Sequence, residues 1–321
     1  MNIFKEIPQI DLDPLFNKTN GIYDVASEIR NAYTTVGFAY IFNHGFPQSL
    51  VDEVFHMAEI FHHLPLEEKL KIKQNKFFRG YMPLDASIFN VSTLGRAIKA
   101  NQSAAFIQAF EPDVNHPDYL HTNLCGPNQW PDSIPYFKDV MTTYHAKMTE
   151  LAQKMVQVFS VAFGLEANDL DDYFIKPTTF LRLQYYPEQP CLIPEDQYGI
   201  APHTDYGFLT ILAQDHWGGL QVKNQNGEWI DAPPLRGSFV LNSGDMLKRM
   251  TNDNFISTPH RVINKSGHER YSIPFFLEPN MYASIAPLSI FCNEKCLAKY
   301  TSIQYHEHLM GRIRNNYEIG A

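Results

Sequence analysis

Near residue 165 the hydrophobic period of this chain changes, and the change narrows the folds open to it. Upstream, residues 136–165 place apolar side chains at helical spacing and close on Gly164, as a long helix with a glycine cap does. Downstream the period falls to two in short segments at 179–186, 207–213, 219–223, 228–232, 237–242, 259–264 and 269–277. That is the pattern of half-buried strands. Asn226-Gly227 is a two-residue hairpin signal, Ser243-Gly244-Asp245 and Lys265-Ser266-Gly267 are tight turns, and Pro187 and Pro190 end the first strand. Short strands spaced in this way predict a β-sandwich or jelly roll.

The front of the chain reads differently. Val25, Ile29 and Ala32 have helical spacing, and the run FAYIF after Gly37 reads as a strand that Asn43-His44-Gly45 breaks. Between Pro47 and Lys73 the apolar positions Val51, Val54, Phe55, Ala58, Phe61 and Leu64 predict one amphipathic helix. Residues 74–135, dense in Asn, Pro, Asp and Gly, read as irregular. No repeat or low-complexity linker divides the 321 residues. The expected organisation is therefore mainly β with a helical shell: an α-rich region at 1–175 packed on the core, a β core at 176–285, and a C-terminal helical segment at 286–321. Ile303, His306, Met310 and Ile313 carry the helical spacing of that last segment.

Composition excludes several functions. A net charge of −9 leaves no basic surface for nucleic acid or an anionic membrane. No apolar run reaches the roughly 18 residues of a membrane span, and charges interrupt what would be a signal core at the N-terminus. A cytoplasmic monomer acting on a small molecule is the expectation. The cysteines (Cys125, Cys191, Cys292, Cys296) are too scattered for a disulfide framework, and Cys292-x3-Cys296 lacks a second ligand pair for zinc. They read as reduced, structural thiols.

Histidine is the commonest transition-metal ligand, and the chain has 13. Two His-x-Asp motifs occur. His116-Pro117-Asp118 falls in the irregular region, whereas His203-Thr204-Asp205 stands immediately before the strand candidate GFLTILA. On an extended backbone residues i and i+2 share a face, so His203 and Asp205 can meet one cation. His260 opens a later strand candidate. Two histidines and one carboxylate are the facial triad of non-haem Fe(II) oxygenases, which leaves coordination positions for a cosubstrate and O2. Arg270 and Ser272 again share a face, and a guanidinium with a hydroxyl suits one carboxylate. A hairpin at Lys265-Ser266-Gly267 would lay their strand beside the one carrying His260. His306 and His308 lie two apart on a predicted helix, where side chains do not face each other, so they do not read as a second metal site.

Across nearly its whole length the chain resembles the isopenicillin N synthase-like family of Fe(II)/2-oxoglutarate-dependent oxygenases. The resemblance rests on GFAYIFNHGF at 37–46, FRGY at 78–81, LRLQYYP at 181–187, HTDYGFLTIL at 203–212, GGLQV at 218–222, NSGDML at 242–247, STPHRV at 257–262 and RYSIPFFLEP at 270–279. It implies a distorted double-stranded β-helix (jelly-roll) core, with Fe(II) held by His203, Asp205 and His260. It further implies that 2-oxoglutarate chelates the metal and that Arg270 and Ser272 hold its distal carboxylate. Tyr186 matches a tyrosine that helps hold the cosubstrate, and Gln184 stands where the family often has Asn. Arg182 would share their face, either facing ligand or in a buried ion pair. Asn242, Gly244 and Asp245 are expected to fix a turn rather than contact ligand. Ala104-Ala105 replaces a charged pair common in the family, which implies a changed substrate pocket, and the C-terminal segment would cover the site. The implied reaction is O2-dependent oxidation of an unactivated C–H bond in a small organic substrate, by hydroxylation, desaturation or ring closure, with release of succinate and CO2. Two alternatives stay open: an Fe(II) oxidase of the same fold that does not use 2-oxoglutarate, and a non-catalytic metal-binding jelly-roll protein.

Overall fold

The period-two segments build two facing sheets, seen in a computed structural model that describes residues 3–84, 86–87, 99–122, 124–189 and 196–316. In chain order the strands of these two sheets are β1 (Gln9–Asp11), β2 (Phe38–Phe42), β3 (Gly80–Met82), β4 (Ala104–Ala109), β5 (Thr178–Tyr186) and β6 (Ile200–His203), followed by β7 (Leu209–Gln214), β8 (Leu220–Lys223), β9 (Trp229–Asp231), β10 (Phe239–Ser243), β11 (His260–Val262) and β12 (Arg270–Glu278). The larger sheet runs in the order β1, β2, β10, β7, β12, β5, β4, β3, and the smaller in the order β6, β11, β8, β9. This is a distorted double-stranded β-helix.

In chain order the helices are α1 (Asp13–Asn17), α2 (Gly21–Tyr33), α3 (Gln48–His63), α4 (Leu66–Leu70), α5 (Phe137–Phe163), α6 (Asp245–Met250) and α7 (Tyr305–Asn316). Helices α2, α3 and α5 pack on the larger sheet. The central helix α5 ends where expected, on Gly164 in the left-handed region at φ 92°. Its buried stripe packs against α2, where the Tyr33 and Phe159 rings meet edge to face at 4.9 Å. A second apolar cluster, including Phe38, Tyr186, Leu220, Val222, Val240 and Val262, fills the space between the sheets.

Several expectations are corrected. The single helix at 47–73 is two, because Pro65 cannot continue a helix and forces Leu64 out of the helical region, to ψ 150°. The stretch 74–135 is not wholly irregular: it supplies β3 and β4, and all six residues of β4 are buried, so no alternation marks it as a strand. The turn at 243–245 instead begins helix α6. Ile303 precedes α7 rather than belonging to it. The strands at 179–186, 207–213, 219–223, 228–232 and 237–242 form within two residues of their expected bounds, while the turn between β8 and β9 is a five-residue loop, 224–228, with Gly227 at φ 84°, rather than the two-residue hairpin expected at Asn226-Gly227.

The hairpin drawn between the His260 and Arg270 strands does not form. Strand β11 pairs with β6 on one edge and β8 on the other, so no edge remains for β12, which pairs with β5 and β7 in the opposite sheet. The segment after β11 crosses between sheets. Among the described cysteines, Cys125, Cys292 and Cys296 are free thiols; Cys191 and Pro190 lie outside the described residues.

Candidate metal and cosubstrate site

Antiparallel pairing of β6 with β11 sets His203 directly opposite His260, with ring centroids 4.2 Å apart. Strand β6 was not apparent in the sequence. Asp205 lies beyond its end, in the loop to β7, so the expected shared face of one strand does not bring His203 and Asp205 together. The loop nonetheless returns the carboxylate: Asp205 Oδ1 is 3.7 Å from Nε2 of both His203 and His260. One ligand atom from each of the three residues lies within 4.8 Å of the others, a span that one metal ion can bridge. By contrast, His116 and Asp118 sit in a turn to which the described residues bring no third ligand.

The hydrogen bonds around the triad leave the right atoms for a metal. His203 donates its Nδ1–H to Ala201 O over 2.8 Å, and His260 donates its own to Thr258 O over 3.2 Å. These bonds fix the tautomer and turn each Nε2 lone pair inward. Asp205 Oδ2 accepts from Thr210 Oγ1 at 2.5 Å and from Asn242 Nδ2 at 2.8 Å, which leaves Oδ1 facing the imidazoles. Burial, then the neighbouring His260, pushes the His203 imidazole well below its usual range, into the neutral form that ligates. Burial alone would raise Asp205, but the two imidazoles and the bonds from Thr210 and Asn242 outweigh it and hold the carboxyl below the usual range. A neutral donor pair with one carboxylate suits a divalent first-row metal.

On the facing sheet, β12 pairs with β5 so that Arg270 stands opposite Tyr186 and Ser272 opposite Gln184. Opposed residues share a face, which brings the four expected side chains together. The Arg270 guanidinium lies over the Tyr186 ring at 4.5 Å, and the Tyr186 hydroxyl is 3.4 Å from Ser272 Oγ. Arg270 is fully buried; its Nε and Nη1 find no hydrogen-bond partner among the described residues, and Nη2 reaches only Gln214 Oε1 at 3.4 Å. A buried cation with unfilled donors fits a carboxylate delivered by a ligand. One glycine makes the room. A Cβ on Gly199 would lie 2.7 Å from the Tyr186 ring.

A cavity of about 120 Å³ opens beside His203 and Asp205. Gln184 and Arg182 lie on its wall, as do Ser103 and Ile107 of the β4 edge and Leu309 and Ile313 of α7. Ala105 is buried opposite Gln184. His306 and His308 do not join a metal cluster among the described residues; His308 donates Nε2–H to Tyr206 O over 3.1 Å.

Comparison with known proteins decides the family. The chain is 35% identical to homoarginine-6-hydroxylase 2-ODD-C23 of Glycine max, over 98% of each protein. The chain belongs to the 2OG-Fe(II) oxygenase superfamily. The model of that superfamily matches residues 177–279, and a model described as the non-haem dioxygenase in morphine synthesis N-terminal region matches residues 7–133. The 2-oxoglutarate-Fe(II) type oxidoreductase hxnY of Emericella nidulans is 34% identical over 97% of this chain and 90% of its own. The crystal structure of a full-length Neurospora crassa protein in complex with alpha-KG and thymine superposes with a TM-score of 0.84 at 29% identity, covering 96% of each chain. This oxygenase is thus a non-haem Fe(II)- and 2-oxoglutarate-dependent dioxygenase, with Fe(II) and 2-oxoglutarate as its cofactors.

Two residues of the oxygenase site escaped the sequence. Asn242, expected only to fix a turn, lies within β10 with its side chain on Asp205; Thr210 reaches the same oxygen from five residues downstream. Their signal was positional: Asn242 and Thr210 stand opposite each other on the paired strands β10 and β7, and that pairing becomes known only once the sheet is assembled.

Proposed function

We propose that His203, Asp205 and His260 hold Fe(II), and that Arg270, Ser272, Tyr186 and Gln184 hold 2-oxoglutarate, for oxidation of an unactivated C–H bond in a small organic substrate. The observation that carries the reading is the buried Arg270 guanidinium with unfilled donors, on the sheet facing the triad. Arg270 and Ser272 take the distal carboxylate, Tyr186 supports the guanidinium from beneath, and Gln184 borders both the cosubstrate and the cavity. When bound, the metal and 2-oxoglutarate activate O2 for the oxidation and release succinate and CO2.

The chain's own contribution is orientation and exclusion of water. Ala201 O, Thr258 O, Thr210 and Asn242 keep the three ligands aimed, so that little reorganisation accompanies metal binding. Phe180, Phe276, Leu309 and Ile313 line the cavity with apolar surface. No proton transfer by a side chain is needed at the C–H bond. The region 1–175 and the segment 286–321 serve as shell and cover for the core at 176–285.

Relatives are named for different small molecules, among them homoarginine, thymine in the Neurospora crassa complex, and 1-aminocyclopropane-1-carboxylate. They support a small-molecule substrate for this chain. The reading extends to a monomer in the cytoplasm with no nucleic-acid or membrane partner; among the described residues no helix is long and apolar enough to cross a membrane.

The experiment is anaerobic addition of Fe(II) and 2-oxoglutarate to the purified protein, followed by succinate assay in air. A visible charge-transfer band that Arg270→Met weakens, together with succinate formation that Asp205→Ala abolishes in a folded protein, is the expected result. Oxidation of a substrate without any succinate would instead favour the oxidase that does not use 2-oxoglutarate, and full turnover by Asp205→Ala would overturn the triad.

A further inference from the structure

The cavity carries one feature that neither iron nor cosubstrate uses. Glu278, the last residue of β12, is 4% exposed and lines the same cavity as His203 and Asp205. Phe208 donates its N–H to Glu278 Oε2 over 2.9 Å and the Tyr305 hydroxyl stands beside the carboxyl, but no basic side chain is paired with it among the described residues. A carboxyl kept in an apolar wall is costly unless something pairs with it.

Arg182 stands on the same wall. Phe276 pairs with Phe180 across β12 and β5, and side chains two apart share a face, so Phe180 and Arg182 on β5 line up with Phe276 and Glu278 on β12. The Arg182 guanidinium lies over the Phe276 ring at 5.4 Å. Glu278 stands opposite Thr178, four residues along β5 from Arg182, a separation of roughly 13 Å at about 3.3 Å per residue. The metal ligands fall beside this line. Arg182 acts electrostatically on His203, and Asp205 acts on Glu278. Between the two charged side chains the wall is aromatic and aliphatic, from Phe180, Phe276, Leu309 and Ile313.

We propose that the substrate carries a carboxylate that Arg182 meets and a basic, cationic group that Glu278 meets, with an aliphatic stem between them passing the metal: an ω-basic α-amino acid or a zwitterion of similar length. This rests on the assignment of the cavity as the substrate site of the Fe(II)/2-oxoglutarate reaction. The arrangement has a physical rationale. Burial pushes the Glu278 carboxyl well above its usual range despite the Phe208 N–H and the Tyr305 hydroxyl beside it, and a cation delivered by the substrate favours its ionised form. A molecule without the basic group brings Glu278 no cation, and one without the carboxylate forgoes the contact with Arg182, which is how such a site rejects each of them.

The test is anaerobic titration of the Fe(II)- and 2-oxoglutarate-loaded protein, read from perturbation of its charge-transfer band. The probes are L-ornithine, L-lysine, L-arginine and L-homoarginine, set against agmatine, which lacks the carboxylate, and L-norleucine, which lacks the base. At least one ω-basic amino acid is expected to perturb the band and to bind about tenfold or more tightly than either single-ended probe. Glu278→Gln is expected to weaken that ligand by a similar factor while leaving L-norleucine unchanged, a split that loss of structure would not produce. Equal binding of agmatine or L-norleucine, or a loaded protein that no ω-basic amino acid perturbs, overturns the substrate class and leaves the cofactor assignment standing. Failure of the band to form in the unaltered protein takes down both.

Discussion

Asn242 donates its Nδ2–H to Oδ2 of Asp205 across 37 residues of chain, at 2.8 Å. With Thr210 on the same oxygen, it decides which carboxylate oxygen faces His203 and His260. Removing Asn242 therefore loosens the metal ligand without touching the metal. Asn242→Ala is expected to weaken Fe(II) binding by about 10–100-fold, the usual cost of losing such an outer partner. Anaerobic calorimetry with Fe(II) or Co(II) measures it, and unchanged affinity would remove the orienting role.

Gly199 tests the cosubstrate cradle. Its missing Cβ leaves room for the Tyr186 ring, which would otherwise stand 2.7 Å away. Gly199→Ala is expected to displace that ring from beneath Arg270 and to raise KM for 2-oxoglutarate several-fold, with Fe(II) affinity unchanged. If KM for 2-oxoglutarate stays put, Tyr186 does not support the anchor.

His62 makes stability depend on pH. It is buried, donates Nε2–H to Leu183 O over 2.8 Å, and stacks on Tyr185 at 5.1 Å. Burial lowers its pKa from 6.5 to about 3. Between those values the unfolded chain binds the extra proton, so the contribution is complete above pH 6.5 and is lost as pH falls toward 3. At about 1.4 kcal/mol per pKa unit, the loss amounts to several kcal/mol. Thermal midpoints measured from pH 7 down to 4 should fall less steeply for His62→Gln than for the unaltered protein. Parallel curves would exclude His62 as a source of acid sensitivity.

Phe159 anchors the helical shell. Its buried ring meets Tyr33 at 4.9 Å, Phe163 at 6.1 Å and Phe208 at 6.0 Å. Phe159→Ala is expected to cost about 3–5 kcal/mol through the lost burial and the cavity left behind. Denaturant unfolding checks this, and a cost below about 1 kcal/mol would show that the site collapses around the gap.

Local pattern was legible wherever a side chain's surroundings follow from its own element. Helix α5 and its Gly164 cap, α2, and strands β5, β7, β8 and β10 all show in the period of their apolar residues. Strand β4 did not, because burial on both faces erases alternation, and β6 did not, because a four-residue strand ending in a polar ligand has little apolar period to read. Helix α3 was legible except at its end, where Pro65 overrode an amphipathic spacing that continued past it.

The sequence by itself singled out the residue types of the candidate site: two histidines and a carboxylate that suit a metal, and an arginine and a serine two apart that suit a carboxylate. Only the tertiary structure decided how they meet. Strand β11, already paired on both edges, sends the chain to the other sheet, so Arg270 reaches inward from opposite the triad rather than from beside it. The same assembly places Asn242 on Asp205, and Glu278 on the cavity that holds the metal ligands. The physical reason is that hydrophobic period is a property of one element, set by its nearest neighbours in sequence. The edge a strand pairs with, and the side chains it thereby confronts, depend on which hydrogen-bonding edges the rest of the chain has left open.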